Sequence, residues 1–230
     1  MHAMILAAGR GERLRPLTDT TPKPLLQAGP HRLIEHHLLA LADAGIRDVV
    51  INVAHLAGQI MDTLGDGRRY GVSIRYSDES GCVLETGGGI HKALPLLRSD
   101  PFMVINGDVW TDMPLDQLPT GIDTLAHLVL VDNPAHNPDG DFGLDGHCVT
   151  AADRNSKSWT FSGIGVYRHR LFDGCTGGRF PLAGLLRSRF ADCEVSGQTY
   201  SGEWMDIGTA GRLRSLSEKL LAEGTQGTSE

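Results

Sequence analysis

Residues 4–25 read MILAAGRGERLRPLTDTTPKPL, and this stretch decides how the rest of the chain is interpreted. It opens with an apolar run that predicts a strand, and it continues into a loop that contains Gly9 and Gly11. The backbone N–H groups of a glycine-rich loop can turn toward a polyphosphate. The same stretch then carries three positively charged residues, Arg13, Arg15 and Lys23, whose charges a folded core does not need. We therefore predict a nucleotide-phosphate site at the end of the first strand.

Two better-known phosphate loops do not match this spacing. A Walker loop ends in Gly-Lys-Ser/Thr and a dinucleotide fingerprint needs three glycines that open a helix, whereas residues 9–13 read GRGER. Lys23 lies between Pro22 and Pro24, which fix the backbone on both sides of it. The sequence thus favours a phosphate loop of another type, with an ordinary surface turn after a strand as the alternative.

The pattern LAAGxGxRLxPLT at residues 6–18, followed by PKP, resembles the signature of the sugar-1-phosphate nucleotidylyltransferases. Three further segments are similar to one branch of that family, the bacterial N-acetylmuramate 1-phosphate uridylyltransferases of peptidoglycan recycling. They are LETGGGI (84–90), NGDVWTD (106–112) and AHLVLVDNP (126–134). The resemblance extends to about Leu221. It implies a Rossmann-like nucleotide-diphospho-sugar transferase domain that uses UTP, a sugar 1-phosphate and Mg²⁺.

The apolar pattern by itself predicts an α/β fold with a mostly parallel central sheet flanked by helices, because short apolar runs alternate with helical periodicity. After Asn133, prolines and glycines predict hairpins or a small irregular β flap. The predicted strands are Ala3–Ala7, Val49–Val53, Val72–Tyr76, Phe102–Ile105, Leu125–Val131, Thr160–Tyr167 and Glu194–Ser196. The predicted helices are one from Leu33 that stops at Gly45, Leu56–Leu64, Gly89–Leu97, Leu182–Phe190 and Ala210–Leu221.

Length and composition limit the class of protein. The chain has 230 residues, of which 40% are hydrophobic, so we expect one domain over residues 1–222 and a disordered tail at 223–230. The net charge of −7 argues against a nucleic-acid partner. Because no leader and no membrane-length apolar run is evident, we expect a cytoplasmic protein without a membrane partner, as a monomer or small homo-oligomer.

The four cysteines are spread along the chain without a Cys-x-x-Cys pair. This spacing fits neither a zinc site nor a small disulfide scaffold. We therefore expect reduced thiols at Cys82, Cys148, Cys175 and Cys193.

Nucleotidyl transfer brings two anions together, so neutralising their charge is the first chemical problem. The resemblance implies Arg13, Lys23 and Asp108 as catalytic residues. It also implies that glycines after Glu85 permit a close approach of the nucleobase. The implied nucleotide-binding residues are Ala8, Gly9, Gly11, Glu12, Arg13, Lys23, Leu84, Glu85, Thr86, Gly87 and Asn106.

Asp108 follows an apolar strand, where its carboxylate can point off the strand end and hold a hard divalent cation. The family places a second carboxylate in a Trp-x-Asp-x-Gly-Thr segment, which matches residues 204–209 of this chain. The resemblance therefore implies Asp108 and Asp206 as Mg²⁺ ligands. The alternative for Asp206 is a helix N-terminal cap, for which Thr209 is better placed.

The wider family also suggests an acceptor site for the sugar phosphate. The residues implied are Asn106, Asp141, Gly143, Ser162 and Gly163. Many relatives carry a Glu-Lys-Pro type segment whose lysine binds the acceptor phosphate, but this chain reads RNSK at residues 154–157. Lys157 and Arg187 are the candidates for that contact, with solvated surface charges as the alternative for both.

Three other functions stay open on the sequence. One is transfer to another phosphate, such as mannose 1-phosphate, glucose 1-phosphate or phosphocholine, with CTP or GTP as donor. A second is a non-catalytic nucleotide-sugar-binding regulatory subunit, although such a protein has little reason to keep both carboxylates. The third is a glycosyltransferase, whose usual Asp-x-Asp motif is broken here by Asp108-Val109-Trp110.

Overall fold

The computed structural model describes residues 1–82, 84–153 and 156–226. Strands and helices alternate through most of the chain. The strands are β1 (His2–Leu6), β2 (Gln27–Ala28), β3 (His31–Arg32), β4 (Asp48–Val53), β5 (Ser73–Asp78), β6 (Phe102–Asn106), β7 (Val109–Thr111), β8 (Ala126–Val131), β9 (Phe142–Asp145), β10 (Cys148–Ala151), β11 (Ser158–Tyr167), β12 (Val195–Tyr200) and β13 (Trp204–Asp206). The α-helices are α1 (Leu17–Thr20), α2 (Leu33–Asp43), α3 (Ala57–Leu64), α4 (Glu85–Ala93), α5 (Leu182–Arg187) and α6 (Ala210–Gln226).

A nine-stranded sheet in the order β5-β4-β1-β6-β11-β8-β12-β10-β9 forms the centre of the described chain. The pairings from β5 to β6 and the β8–β12 pairing are parallel. Only β10 and β11 run against the common direction of the other strands in this sheet. The predicted α/β fold with a mostly parallel central sheet is therefore confirmed. The predicted flap corresponds to the β9–β10 hairpin, which extends the sheet at one edge.

The sheet is packed on both faces because successive side chains of a strand point to opposite sides. Ala3 and Ile5 of β1 pack in one apolar cluster with α2 and α3, whereas Met4 packs in the other with α4 and α5. A third cluster joins α6 to the segment after the first loop. The described part of the chain thus has helices over both faces of a buried sheet.

The largest difference from the predicted elements concerns α4. The sequence predicted a helix over Gly89–Leu97 after a glycine turn, but α4 spans Glu85–Ala93 and includes all three glycines. Leu94–Leu96 form a 3-10 turn instead of helix. Glycine usually weakens a helix interior, but Gly87, Gly88 and Gly89 are buried against other segments, and tertiary packing outweighs that preference.

The C-terminal helix is also longer than predicted. α6 continues to Gln226, so residues 223–226 are helical rather than part of a disordered tail. The remaining tail residues lie outside the described part of the chain. Thr209 caps this helix, as predicted, because its Oγ1 accepts a hydrogen bond from the backbone N–H of Arg212 at 3.3 Å. No described helix is both long enough and apolar enough to cross a membrane.

The expectation of four reduced thiols is wrong for one pair. Cys148 and Cys193 form a disulfide across a sequence separation of 45 residues, with their Cα atoms 5.2 Å apart. The β10–β12 pairing aligns Cys148 with Ser196, which brings β10 close to the segment that precedes β12. The spacing of the cysteines in the sequence did not indicate this contact, because it results from the pairing of β10 with β12 in the sheet. Cys82 and Cys175 are free.

Candidate active site

A cavity of about 480 Å³ opens at the carboxyl ends of the first parallel strands. Leu6 at the end of β1 pairs with Asn52 in β4 and with Asn106 in β6, so three strand ends lie side by side. Ligands of open α/β sheets bind outside such strand ends. Eleven of the predicted site residues line this cavity: Ala8, Gly9, Gly11, Glu12, Arg13, Lys23, Leu84, Glu85, Thr86, Asn106 and Asp108.

The glycine-rich loop takes its shape from Gly11. This residue has a φ of +65°, a region that favours glycine. A Cβ at this position would lie 2.9 Å from Cγ2 of Thr18 and 3.1 Å from Cβ of Lys23. The carbonyl oxygen of Gly11 accepts hydrogen bonds from Leu14 N and Thr18 Oγ1. Gly11 therefore lets the loop fold tightly against the segment that carries Lys23.

Lys23 and Asp108 form an ion pair in the cavity wall. Nζ of Lys23 lies 2.7 Å from Oδ2 of Asp108. The lysine side chain is 10% exposed and the aspartate side chain 43% exposed, so the pair presents mainly its carboxylate to the cavity. Lys23 starts a 3-10 turn directly after Pro22.

Asp108 and Asp206 come together through two short strands. Asp206 of β13 pairs with Val109 of β7, and Ile207 N donates a hydrogen bond to the carbonyl oxygen of Asp108 at 2.7 Å. The Asp206 carboxylate does not line the cavity. Its Oδ1 accepts a hydrogen bond from Nη1 of Arg212 and lies 2.8 Å from Nε2 of His136. The backbone thus joins the two predicted metal ligands, while the side chain of Asp206 is held by two other groups.

Arg212, which the sequence reasoning did not name, lies beside the site, where it contacts Asp206. A Cβ on Gly208 would lie 2.6 Å from Nη2 of Arg212 and 3.1 Å from Cζ of Arg13, so both guanidinium groups crowd the same backbone. Gly208 itself lines the cavity. The position of Arg212 one turn after Thr209 was a signal that could have found it. Arg13 lines the cavity beside Gly208, and Arg212 lies next to the same backbone without lining the cavity.

Two glycines of α4 pack closely against another segment of the chain. A Cβ on Gly87 would lie 2.5 Å from the ring of Phe180, and one on Gly88 would lie 2.1 Å from the carbonyl oxygen of Gly178. Gly88 N donates a hydrogen bond to Phe180 O, and Leu182 N donates one to Thr86 Oγ1. Gly87 does not line the cavity, so these two glycines admit the protein's own 178–182 segment.

Asn52 and Glu79 are buried polar residues of the cavity wall that the sequence reasoning also missed. Oδ1 of Asn52 accepts a hydrogen bond from Ala7 N, and its Nδ2 donates one to Oε1 of Glu79 at 2.8 Å. Burial raises the pKa of the Glu79 carboxyl, although the hydrogen bond from Asn52 opposes this effect. Gly89 makes room for the pair, since a Cβ there would lie 2.8 Å from Oε1.

Most of the predicted acceptor residues make hydrogen bonds or backbone pairings within the central sheet. Oδ2 of Asp141 accepts a hydrogen bond from Phe161 N, and Gly143 pairs with Thr150 in the β9–β10 hairpin. Ser162 is 1% exposed, and its Oγ accepts a hydrogen bond from Ile164 N. Neither these three nor Gly163 line the cavity. Gly163 does adjoin it, because a Cβ there would lie 2.7 Å from Nδ2 of Asn106.

The two candidate cations for the acceptor phosphate do not line the cavity either. Nζ of Lys157 lies 3.5 Å from the ring centroid of Trp159 and 3.3 Å from Oδ1 of Asp132. The guanidinium of Arg187 lies over the ring of Phe142. Residues 154 and 155 of the RNSK segment lie outside the described residues.

Comparison with known proteins identifies the family. The family model described as nucleotidyl transferase matches residues 2–146, more than half of the chain. The chain belongs to the nucleotidyl transferase family. In this nucleotidyl transferase, the matched region includes the glycine-rich loop, Lys23, Asp108 and the start of α4, which are the parts that form the cavity.

Curated relatives of this nucleotidyl transferase act on sugar phosphates by name. N-acetylmuramate alpha-1-phosphate uridylyltransferase of Neisseria meningitidis serogroup B is 52% identical over 223 residues, which cover 93% of this chain and 96% of the relative. Mannose-1-phosphate guanylyltransferase of Mycobacterium tuberculosis is 31% identical, over 91% of this chain and 61% of the relative.

Solved structures share the fold of this nucleotidyl transferase. A candidate glucose-1-phosphate thymidylyltransferase from Bacillus anthracis, in complex with a sucrose, has a TM-score of 0.84 at 22% identity, over 96% of both chains. The inositol-1-phosphate CTP transferase from T. maritima has a TM-score of 0.77 at 17% identity, over 100% of this chain and 98% of that chain.

Proposed function

We propose that this enzyme joins UTP to N-acetyl-α-muramate 1-phosphate and releases pyrophosphate. The observation that carries the chemistry is the convergence of the glycine-rich loop, Lys23 and Asp108 on one cavity at the strand ends. The choice of UTP and of the muramate acceptor is supported by the 52% identity to the uridylyltransferase of Neisseria meningitidis over nearly the whole chain. The product is UDP-N-acetylmuramate.

The reaction is a single in-line displacement. An oxygen of the acceptor phosphate attacks the α-phosphorus of UTP, a new P–O bond forms, and the bond to the β-phosphate breaks so that pyrophosphate leaves with its electron pair. The acceptor phosphate is already a nucleophile, so no strong general base is needed. Arg13 and Lys23 neutralise triphosphate charge, and backbone N–H groups around Gly11 donate hydrogen bonds to it.

The carboxylates of Asp108 and Asp206 fit a hard cation such as Mg²⁺. Asp206 of β13 and Asp108, which directly precedes β7, would offer carboxylate oxygens, and Mg²⁺ needs few protein carboxylates when phosphate oxygens and water complete its shell. When bound there, Mg²⁺ would neutralise charge on the phosphates. Arg212 and His136 hold the Asp206 carboxylate, so a cation bound there would compete with these two contacts.

Acceptor recognition is the least complete part of the site, because Asn106 alone among the predicted acceptor residues lines the cavity. We propose that Gly163, which packs on Asn106, and the neighbouring Asp141, Gly143 and Ser162 shape the acceptor side of the cleft. We further propose a role in peptidoglycan recycling in the cytoplasm, as a monomer or small homo-oligomer.

A matrix of nucleoside triphosphates against sugar 1-phosphates, read as pyrophosphate release, tests the proposal. UTP with N-acetylmuramate 1-phosphate should give the highest kcat/KM. A higher kcat/KM for UTP with glucose 1-phosphate would overturn the acceptor while keeping the reaction class. Tight nucleotide-sugar binding without pyrophosphate release from any pair would favour the non-catalytic regulatory subunit.

Substitution of the two carboxylates tests the metal site. Asp108→Asn and Asp206→Asn should each remove most activity, and the double variant should be little worse than either one, because groups that act as a unit lose their effect together. Each variant should also bind Mn²⁺, used as a paramagnetic probe in the presence of UTP, more weakly than the wild type. Asp116→Asn, outside the cavity, is the control. Activity that a chelator leaves undiminished would refute the metal-dependent mechanism.

A further inference from the structure

A second group of ligand-type side chains lies far from the nucleotide cavity. Among the described residues, His147, Cys148 and Cys193 bring their donor atoms within 4.8 Å of one another. They lie at the β10 end of the sheet, four strands away from β6, and none of them lines the cavity. We propose that these residues form a site for a soft divalent cation such as Zn²⁺, which is available when the Cys148–Cys193 disulfide is reduced.

The backbone holds the three residues in place independently of the disulfide. His147 ends the turn of the β9–β10 hairpin, and its carbonyl oxygen accepts a hydrogen bond from Gly197 N at 2.9 Å. Cys148 begins β10 and is paired with Asp145 and with Ser196 on its two sides. Cys193 N donates a hydrogen bond to Phe190 O at 3.1 Å. A site whose ligands are already positioned loses little conformational entropy when the ion binds.

The donor atoms suit a tetrahedral thiolate–imidazole site. Nε2 of His147 lies 3.9 Å from Sγ of Cys193. Tetrahedral Zn²⁺ with Zn–S bonds of about 2.3 Å and Zn–N bonds of about 2.0 Å places neighbouring ligand atoms roughly 3.5–3.8 Å apart. After reduction, side-chain rotation must separate the two sulfurs to about this distance. His147 is exposed, so water can supply the fourth ligand.

The disulfide and the metal exclude each other, because thiolates and not disulfide sulfurs bind Zn²⁺. A dithiol reductant breaks the S–S bond, delivers two electrons and two protons to the two sulfurs, and becomes a disulfide itself. Metal binding then displaces the two thiol protons to solvent. The site therefore has two closed states, one cross-linked and one metal-bound, and both tie the β9–β10 hairpin to the segment before β12.

Cobalt titration of the full-length protein, reduced with a water-soluble phosphine, tests the site. The wild type should bind one Co²⁺ per chain with a thiolate-to-cobalt charge-transfer band and the visible bands of four-coordinate Co²⁺, and Zn²⁺ should displace it. Cys148→Ser and Cys193→Ser should lose the charge-transfer band. His147→Ala, a change on an exposed turn, should weaken binding by at least about tenfold. Cys82→Ser removes a free exposed thiol and is the matched control that should bind as the wild type does.

Thermal unfolding gives a second readout. Zn²⁺ at about 100 times its Kd should raise the Tm of the reduced wild type by roughly 5–11 °C, and should leave the Tm of the oxidised protein and of reduced Cys193→Ser unchanged. The proposal is overturned if reduced wild type shows no thiolate–cobalt band, if the band persists in Cys148→Ser and Cys193→Ser, or if Cys82→Ser abolishes it. These measurements use no substrate, so their outcome is independent of the proposed uridylyltransferase reaction.

Discussion

At the scale of single residues, the ion pair between Lys23 and Asp108 links charge to function. Both partners face the cavity, so either can exchange its protein partner for a phosphate or a cation when substrates arrive. The pair also explains how a lysine with only 10% of its side chain exposed is tolerated, because a buried charge needs a counter-charge. The contact therefore keeps Lys23 charged in the cavity wall, ready to bind phosphate.

Lys23→Ala should reduce turnover far more than stability. Loss of a charge-assisted contact to phosphate costs roughly 1.5–3 kcal/mol, which corresponds to about a ten- to hundredfold lower kcat/KM. The unpaired Asp108 carboxylate is 43% exposed and can be solvated, so Tm should change little. Arg15→Ala is the control, because Arg15 carries the same charge in an exposed pair with Asp19 outside the cavity. Unchanged pyrophosphate release by a folded Lys23→Ala variant would remove Lys23 from the site.

Glu79 makes stability depend on pH. Its pKa is raised above the ordinary value of 4.5, so the folded state holds the proton more tightly than the unfolded state does. The resulting stabilisation is present below pH 4.5 and is lost as pH rises through the raised pKa. The Tm of Glu79→Gln should therefore rise relative to the Tm of the wild type as the pH rises through this range. The same substitution at the exposed Glu218 is the matched control. A constant Tm difference between wild type and Glu79→Gln would contradict the burial argument.

At the scale of elements, the start of α4 is closed by the 178–182 segment, which leaves no room for a methyl group at Gly88. A Cβ there would lie 2.1 Å from a backbone carbonyl oxygen, and backbone cannot move aside as a flexible side chain can. Gly88→Ala should therefore destabilise the protein by about 1–3 kcal/mol or more and weaken nucleotide binding, because Leu84, Glu85 and Thr86 line the cavity at the same turn.

Gly58→Ala in α3 is the matched control for Gly88→Ala. Nothing lies within 4 Å of a Cβ at Gly58, so alanine there should stabilise the helix by up to about 1 kcal/mol. Chemical denaturation of both variants measures the two free energies of unfolding. If Gly88→Ala and Gly58→Ala changed the free energy of unfolding by similar amounts, helix propensity and not packing would decide the effect at Gly88.

At the scale of the whole molecule, α6 connects the C-terminal region to the loop that carries Lys23. Leu216 is fully buried among Leu14, Leu26 and Leu33, and Gly29 N donates a hydrogen bond to Ser217 Oγ at 3.0 Å. Leu216→Ala should cost about 2–5 kcal/mol of unfolding free energy and lower Tm by roughly 2–4 °C for each kcal/mol. Leu221→Ala, at a position that is 54% exposed, should change Tm little. An unchanged Tm for Leu216→Ala would mean that α6 does not stabilise the fold.

The sequence by itself determined the features that depend on neighbours along the chain. The apolar runs located β1, β4, β6 and β8 to within one or two residues, because strand burial follows local hydrophobic pattern. The glycine-rich loop and Lys23 were recognised together as one part of the cavity wall, since Gly11 and Lys23 belong to one short segment. The resemblance then added Asp206 as a partner of Asp108, because the Trp-x-Asp-x-Gly-Thr segment of residues 204–209 has a meaning only by comparison with the family.

Only the tertiary structure decided the features that join distant parts of the chain. The partners of Asp206, the burial of Glu79 on Asn52, the protein contacts of Gly87 and Gly88, and the pairing of Cys148 with Cys193 all depend on strand order and packing. Spacing predicted no site for those cysteines, yet the sheet places them beside His147. The physical reason is that periodicity reports which face of an element is buried, whereas the groups that meet there are set by how elements assemble.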